Sequence, residues 1–97
     1  MKQIDSEKDV ERKLVELVKT HGGMCIKLLC DQLIGLPDRL CLFPSQKAIF
    51  VEVKTTGQKP RRIQKYIHEK LRKLGFRVEV LDTISSVINF IEDVIGK

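Results

Sequence analysis

The sequence predicts an α/β domain in the order αβββαβα, with a mixed central sheet flanked by helices. Three observations carry that prediction. Apolar residues recur at helical spacing over 6–21, over about 60–74 and again after 82. Between them, short apolar or alternating runs occupy 24–29, 38–43, 48–54 and the stretch from Phe76 to Val80. The third of these strands, the helix after it and the fourth strand form a β-α-β unit, which pairs its strands in parallel through a right-handed crossover.

Each element has its own signals. Asp5 or Ser6 caps the first helix, with Glu7 and Asp9 in the first turn where the helix dipole favours them. Val10, Leu14, Leu17 and Val18 form its apolar stripe, and Gly22-Gly23 ends it. Strand one, 24–29, carries Lys27 on one face with Cys25 and Leu29. A polar loop closes on Gly35-Leu36-Pro37, and strand two runs over 38–43. The turn at 44–47 is short, so strands two and three are expected to pair as an antiparallel hairpin. Pro60 suits the first turn of the second helix, which has a stripe of Ile63, Ile67, Leu71 and Leu74 and stops at Gly75. His68 is expected on the exposed side of that helix, and Tyr66 is expected to pack. Phe76, Val78 and Val80 alternate with Arg77 and Glu79 in strand four. Asp82 or Thr83 caps the last helix, which buries Ile84, Val87, Ile88, Ile91, Val94 and Ile95.

Ninety-seven residues make one domain, 1–97, with one core and no room for a separate binding module. No apolar stretch approaches the roughly 20 residues of a membrane span. The polar N-terminus lacks a signal-peptide hydrophobic region, so a cytoplasmic protein is expected. Cys25, Cys30 and Cys41 fit no zinc spacing and are read as reduced thiols. The two histidines are too isolated to suggest zinc, and His21 reads as a helix-end residue. A net charge of +5 points to an anionic partner such as nucleic acid. The charge is concentrated over 59–73, with eight basic residues, His68 included, and one acid.

The chemistry lies in strand three. Ile49, Val51 and Val53 mark its buried face, so Glu52 and Lys54 share the other face with Phe50. They stand about 7 Å apart at their Cα atoms. Charges in the middle of an apolar strand cost stability unless they have partners. Asp38, held extended behind Pro37, supplies a second carboxylate if the hairpin pairs 38 near 52. Two carboxylates, with the backbone carbonyl of Val53 as a third oxygen, suit a hard cation such as Mg²⁺. Asp-x13-Glu-x-Lys is the residue set of a metal-dependent phosphodiesterase. Lys54 is placed to position or deprotonate an attacking water. Glu11 falls within the apolar stripe of the first helix and there either wants a cation or a metal-bound water or reaches from the stripe's edge to solvent. Gln64, early in the second helix, is placed to hydrogen-bond water or phosphate or else faces solvent. Thr55 to Arg62 leads into a helix N-terminus, where backbone N–H groups favour phosphate. Lys59, Arg61 and Arg62, with Lys65 behind them on the helix, are the candidate nucleic-acid backbone contacts, and Lys27 either sits at an exposed edge or is aimed at an anion.

Taken together these features resemble the PD-(D/E)xK nuclease superfamily and, more narrowly, the VRR-NUC domain (virus-type replication-repair nuclease). Glu11, then Gly22-Gly23, then Lys27 resembles the family's opening. Gly35-Leu36-Pro37-Asp38-Arg39 resembles its Gly-x-Pro-Asp motif, and Phe50-Val51-Glu52-Val53-Lys54 its Glu-x-Lys strand. Gln64 and Tyr66 fall where the family carries a glutamine and often an aromatic residue. The resemblance covers nearly the whole chain and implies a restriction-endonuclease-like fold. It also implies Mg²⁺- or Mn²⁺-dependent hydrolysis of DNA phosphodiesters. Asp38 and Glu52 would hold the metal, with Glu11 acting through water or a second metal and Lys54 and Gln64 as catalytic helpers. Small stand-alone members, found in phages and bacteria, resemble Holliday-junction resolvases and act as homodimers. The expected partner is therefore branched DNA, inside a bacterial cell or phage-infected host. The alternatives are a flap or restriction-like nuclease, an RNA-processing nuclease and a non-catalytic DNA-binding module of the same fold.

Overall fold

In the computed structural model, which describes residues 3–29 and 32–96, helix α1 spans Glu7–Thr20 and strand β1 Met24–Lys27. Strands β2 (Arg39–Phe43) and β3 (Lys47–Val53) follow, then α2 (Arg62–Lys73), β4 (Arg77–Leu81) and α3 (Ile84–Ile95). The strands lie side by side in the order β1-β2-β3-β4. The first two pairings are antiparallel and β3–β4 is parallel, so the sheet is mixed as the β-α-β unit requires.

Local chemistry sets the element ends. The Ser6 hydroxyl accepts the Asp9 N–H and caps α1, and His21 takes its C-cap position. Ser45 and Gln46 adopt positive φ in the β2–β3 turn, where left-handed residues match the twist of a tight hairpin. The Thr83 hydroxyl caps α3 by accepting the Ser86 N–H. Strand β1 is shorter than the expected 24–29: its register with β2 ends at Lys27–Arg39, one further bond joins the Leu28 N–H to the Asp38 carbonyl, and Leu29 turns out to solvent. Asp38 precedes β2 and Lys54 follows β3. Pro60 lies outside α2, whose N-cap is Arg61. Cys30 lies outside the described residues.

The pleat divides the sheet into two faces. Cys41, Phe43, Ile49, Val51, Val53 and Leu81 face α1 and α3 and form the main core with Val10, Leu14, Val18, Val87, Phe90, Ile91 and Val94. Phe90, which the apolar stripe did not single out, meets Phe43 edge to face at 6.2 Å. Ile88 and Ile95, expected inside, are exposed at the edge of the stripe. Leu14 is completely buried at the centre of this layer. Leu14→Ala is therefore expected to cost about 2–5 kcal/mol, read as a fall of roughly 10 °C or more in melting temperature.

Helix α2 covers the opposite face. Its orientation departs from the expected stripe: the buried residues are Gln64, Ile67 and His68, while Leu74 is 74% exposed and Ile63 lies at the surface. The rotation turns two polar side chains towards the sheet, where β3 presents Glu52. His68 is 1% exposed rather than solvent-facing. Tyr66 is 56% exposed rather than packed, with the Lys70 ammonium 5.2 Å above its ring.

Candidate active site

The hairpin register pairs Arg39 with Val51, so Asp38 stands opposite Glu52 at the next position. Both side chains leave the sheet on the α2 side. The Val53 N–H donates to Asp38 Oδ2 at 2.9 Å, which fixes that carboxylate against the end of β3. Lys54 extends the sheet by one backbone bond, its N–H donating to the Leu81 carbonyl at 3.0 Å. Its ammonium then returns to Glu52 Oε2 at 3.2 Å.

Gln64 joins this group through two bonds. Its Oε1 accepts the Arg61 N–H at 2.7 Å, satisfying a free donor at the start of α2. Its Nε2 donates to Glu52 Oε2 at 2.9 Å. One amide thus ties the helix start to the carboxylate and fixes which way both point.

Glu52 is the unusual member. It is 1% exposed, and Oε2 takes both the lysine and the glutamine, while Oε1 is buried with no hydrogen-bond partner. Burial, and then the charge of Asp38, push its pKa up to about 7, against the opposing pull of Lys54 and Gln64. A buried carboxylate oxygen with no donor, beside a second carboxylate, suits a cation. All-oxygen donors at a site with few protein ligands fit Mg²⁺ or Mn²⁺. Among the described residues no cluster of three or more His, Cys, Asp or Glu side chains that could hold a metal ion is formed.

Glu11 is not brought into this group. Its carboxylate pairs with Arg39, at 3.2 Å from Nε and 3.1 Å from Nη2. Arg39 follows Asp38 directly and so projects to the α1 side of the sheet. The cation that Glu11 was expected to want is this guanidinium, which also donates to the Cys25 carbonyl at 3.3 Å. Lys27, Lys59, Arg61, Arg62 and Lys65 are all exposed.

Sequence reasoning missed His68, one helical turn beyond Gln64 on the same face. Its Nε2 is buried with no partner. Burial chiefly, then the charges of Arg72 and Lys54, hold its pKa below the usual histidine range, so it is a neutral wall behind the polar group. Its position at i+4 from an inward glutamine was the available signal.

Comparisons with known proteins bear on the family and the fold. The model of the VRR-NUC domain matches residues 2–83. The chain is 40% identical over 84 residues to "Putative nuclease p44" of Acyrthosiphon pisum secondary endosymbiont phage 1, covering 84% of this chain and 90% of that protein. A solved VRR-NUC domain superposes with a TM-score of 0.83 at 31% identity, covering 91% of this chain and 97% of the other. With family match, relative and fold in accord over most of its length, the chain belongs to the VRR-NUC family of virus-type replication-repair nucleases.

Proposed function

We propose that this nuclease domain is a Mg²⁺- or Mn²⁺-dependent, structure-specific DNA endonuclease that resolves four-way junctions as a homodimer, inside a bacterial cell or phage-infected host. The observation that carries the reading is the buried Glu52, its Oε1 unpartnered, opposite Asp38 and bonded to Lys54. Asp38, Glu52 and the Val53 carbonyl would hold the metal. The metal, when bound, neutralises phosphate charge and acidifies its bound water. Lys54 positions the attacking water and stabilises charge on the phosphoryl oxygens. Gln64 keeps Glu52 in one rotamer. Glu11 contributes from the other face of the sheet, by holding Arg39, the neighbour of Asp38.

Lys59, Arg61, Arg62 and Lys65 line the approach to the α2 N-terminus, whose backbone dipole favours phosphate. Lys27 adds a contact from the end of β1. Backbone contacts of this kind fix the register of a duplex without reading its bases. A single small domain holds one such centre. A junction needs two symmetric cuts, which a two-fold dimer delivers to a nearly two-fold substrate.

The test is cleavage of labelled four-way junction, flap and linear duplex by the pure protein, with Mg²⁺, Mn²⁺ or EDTA. Paired nicks on the junction alone, dependent on metal, are expected. Equal cutting of linear duplex or flap would favour a restriction-like or flap nuclease. Binding without cutting under every metal condition would leave only a DNA-binding module.

A further inference from the structure

Away from the proposed catalytic centre, two thiols face each other across the β1–β2 pair. Cys25 and Cys41 are direct cross-strand partners, and their sulfurs lie 3.7 Å apart. The Leu28 N–H donates to the Asp38 carbonyl at 2.8 Å, which makes 28–38 a hydrogen-bonded pair. Pairs alternate along an antiparallel ladder, so 25–41, three steps along, is a non-hydrogen-bonded pair. In such pairs the Cα atoms approach to about 4.5 Å and the side chains lie closest. That separation falls within the range a disulfide bridges, and side-chain rotation can close the sulfurs to about 2.05 Å.

We propose that Cys25 and Cys41 are a redox pair that closes into a reversible disulfide across the β1–β2 ladder when the protein meets hydrogen peroxide. Cys25 is half-buried on an edge strand, where a small oxidant can reach it, while Cys41 is fully buried behind it. The hydrogen bond the two thiols share lowers the Cys25 pKa and raises that of Cys41, and Cys25 is also the one of the two that solvent reaches, so it is the sulfur that reacts first. The Cys25 thiolate attacks peroxide, breaking the O–O bond to give a sulfenic acid and hydroxide. The Cys41 sulfur then displaces the sulfenic hydroxyl. The S–S bond forms, the Cys41 thiol proton leaves with that hydroxyl as water, and the first hydroxide takes up the proton that Cys25 released on ionising. Two thiols are oxidised by two electrons and one peroxide is reduced to two waters. The bond staples a four-residue edge strand to the strand that begins beside Asp38.

The experiment treats the whole folded protein with hydrogen peroxide, alkylates the free thiols and maps the peptides by mass spectrometry. The expected product has lost two hydrogen atoms, links Cys25 to Cys41 and keeps Cys30 alkylatable. Dithiothreitol restores three free thiols. Cys30→Ser still forms the link, whereas Cys25→Ser and Cys41→Ser do not. Three alkylated cysteines after peroxide, a link that includes Cys30, or sulfinic acid at Cys25 with Cys41 untouched would each overturn the proposal.

Discussion

The double substitution Glu52→Gln with Lys54→Met is expected to abolish phosphodiester cleavage while raising the stability of the metal-free protein at pH 8. Glu52 is almost wholly buried and its pKa is raised from 4.5 to about 7. A folded-state pKa above the unfolded value means that the group's stabilising contribution is present below about pH 4.5 and lost as pH rises through about 7. Such a shift corresponds to a loss of about 3 kcal/mol once the carboxylate is ionised. Replacing a buried ion pair by neutral side chains of similar volume is neutral or stabilising by about 1–4 kcal/mol. The double variant avoids the fault of a single change, which would leave the Lys54 ammonium, 13% exposed, without its carboxylate. Urea unfolding in EDTA should show the variant ahead of the wild type by about 1–3 kcal/mol at pH 8. The advantage should shrink by about 2 kcal/mol at pH 5, where folded Glu52 holds its proton and most of the cost of burying its charge is gone. Mg²⁺ should raise the melting temperature of the wild type alone, because only the wild type retains the site. Asp38→Asn, which keeps an oxygen for the Val53 N–H, should lose cleavage by on the order of 10²-fold or more with the fold intact. A double variant less stable than wild type at pH 8, or one that still cuts, would remove the metal-site reading of Glu52.

That trade between stability and activity explains which parts of the site were legible in the sequence. Period-two alternation through Ile49, Val51 and Val53 fixes the face of Glu52, and Pro37 fixes the entry of Asp38, so the carboxylates could be placed together from local rules. The parallel pairing of β3 with β4 followed from the intervening helix. The orientation of α2 did not follow. Its apolar residues at 63, 67, 71 and 74 suggest a stripe that excludes Gln64 and His68, yet the helix buries both. The reason lies outside the helix: the turn of α2 towards the sheet lets the Gln64 amide bond the Arg61 N–H and Glu52 Oε2 at once. Burial of His68 then follows from its place one turn on. Glu11 was ambiguous for a similar cause. Its position in the α1 stripe called for a cation, but nothing local distinguished a metal from Arg39, which reaches it only after β1 and β2 have paired. The thiol pair likewise needs the β1–β2 register, which no spacing in the sequence specifies.

Gly35→Ala is expected to damage fold and site together. Gly35 has φ +99, a conformation in which a side chain is strained whatever the space. A Cβ there would also lie 2.8 Å from the Ile63 carbonyl oxygen and 2.9 Å from Ile67 Cγ1. The first neighbour is backbone of α2 and cannot rotate aside, so either the loop or the helix must move. Both carry the proposed centre: the loop runs on through buried Pro37 to Asp38, and the helix holds Gln64 against Glu52. Gly57 provides the control, with φ +90 and nothing within 4 Å of an added Cβ. Gly57→Ala should therefore cost only about 1 kcal/mol, the backbone penalty alone. Gly35→Ala adds the overlap and should cost about 3 kcal/mol or more in urea unfolding. A displacement of even about 1 Å between catalytic groups is worth on the order of 10²-fold in rate. Single-turnover cleavage by the folded fraction of Gly35→Ala should fall by about that factor, while Gly57→Ala should cut at nearly the wild-type rate. Equal unfolding curves for the two variants would mean that the loop does not rest on α2 as described, and that Asp38 and Gln64 are held in register by something other than this contact.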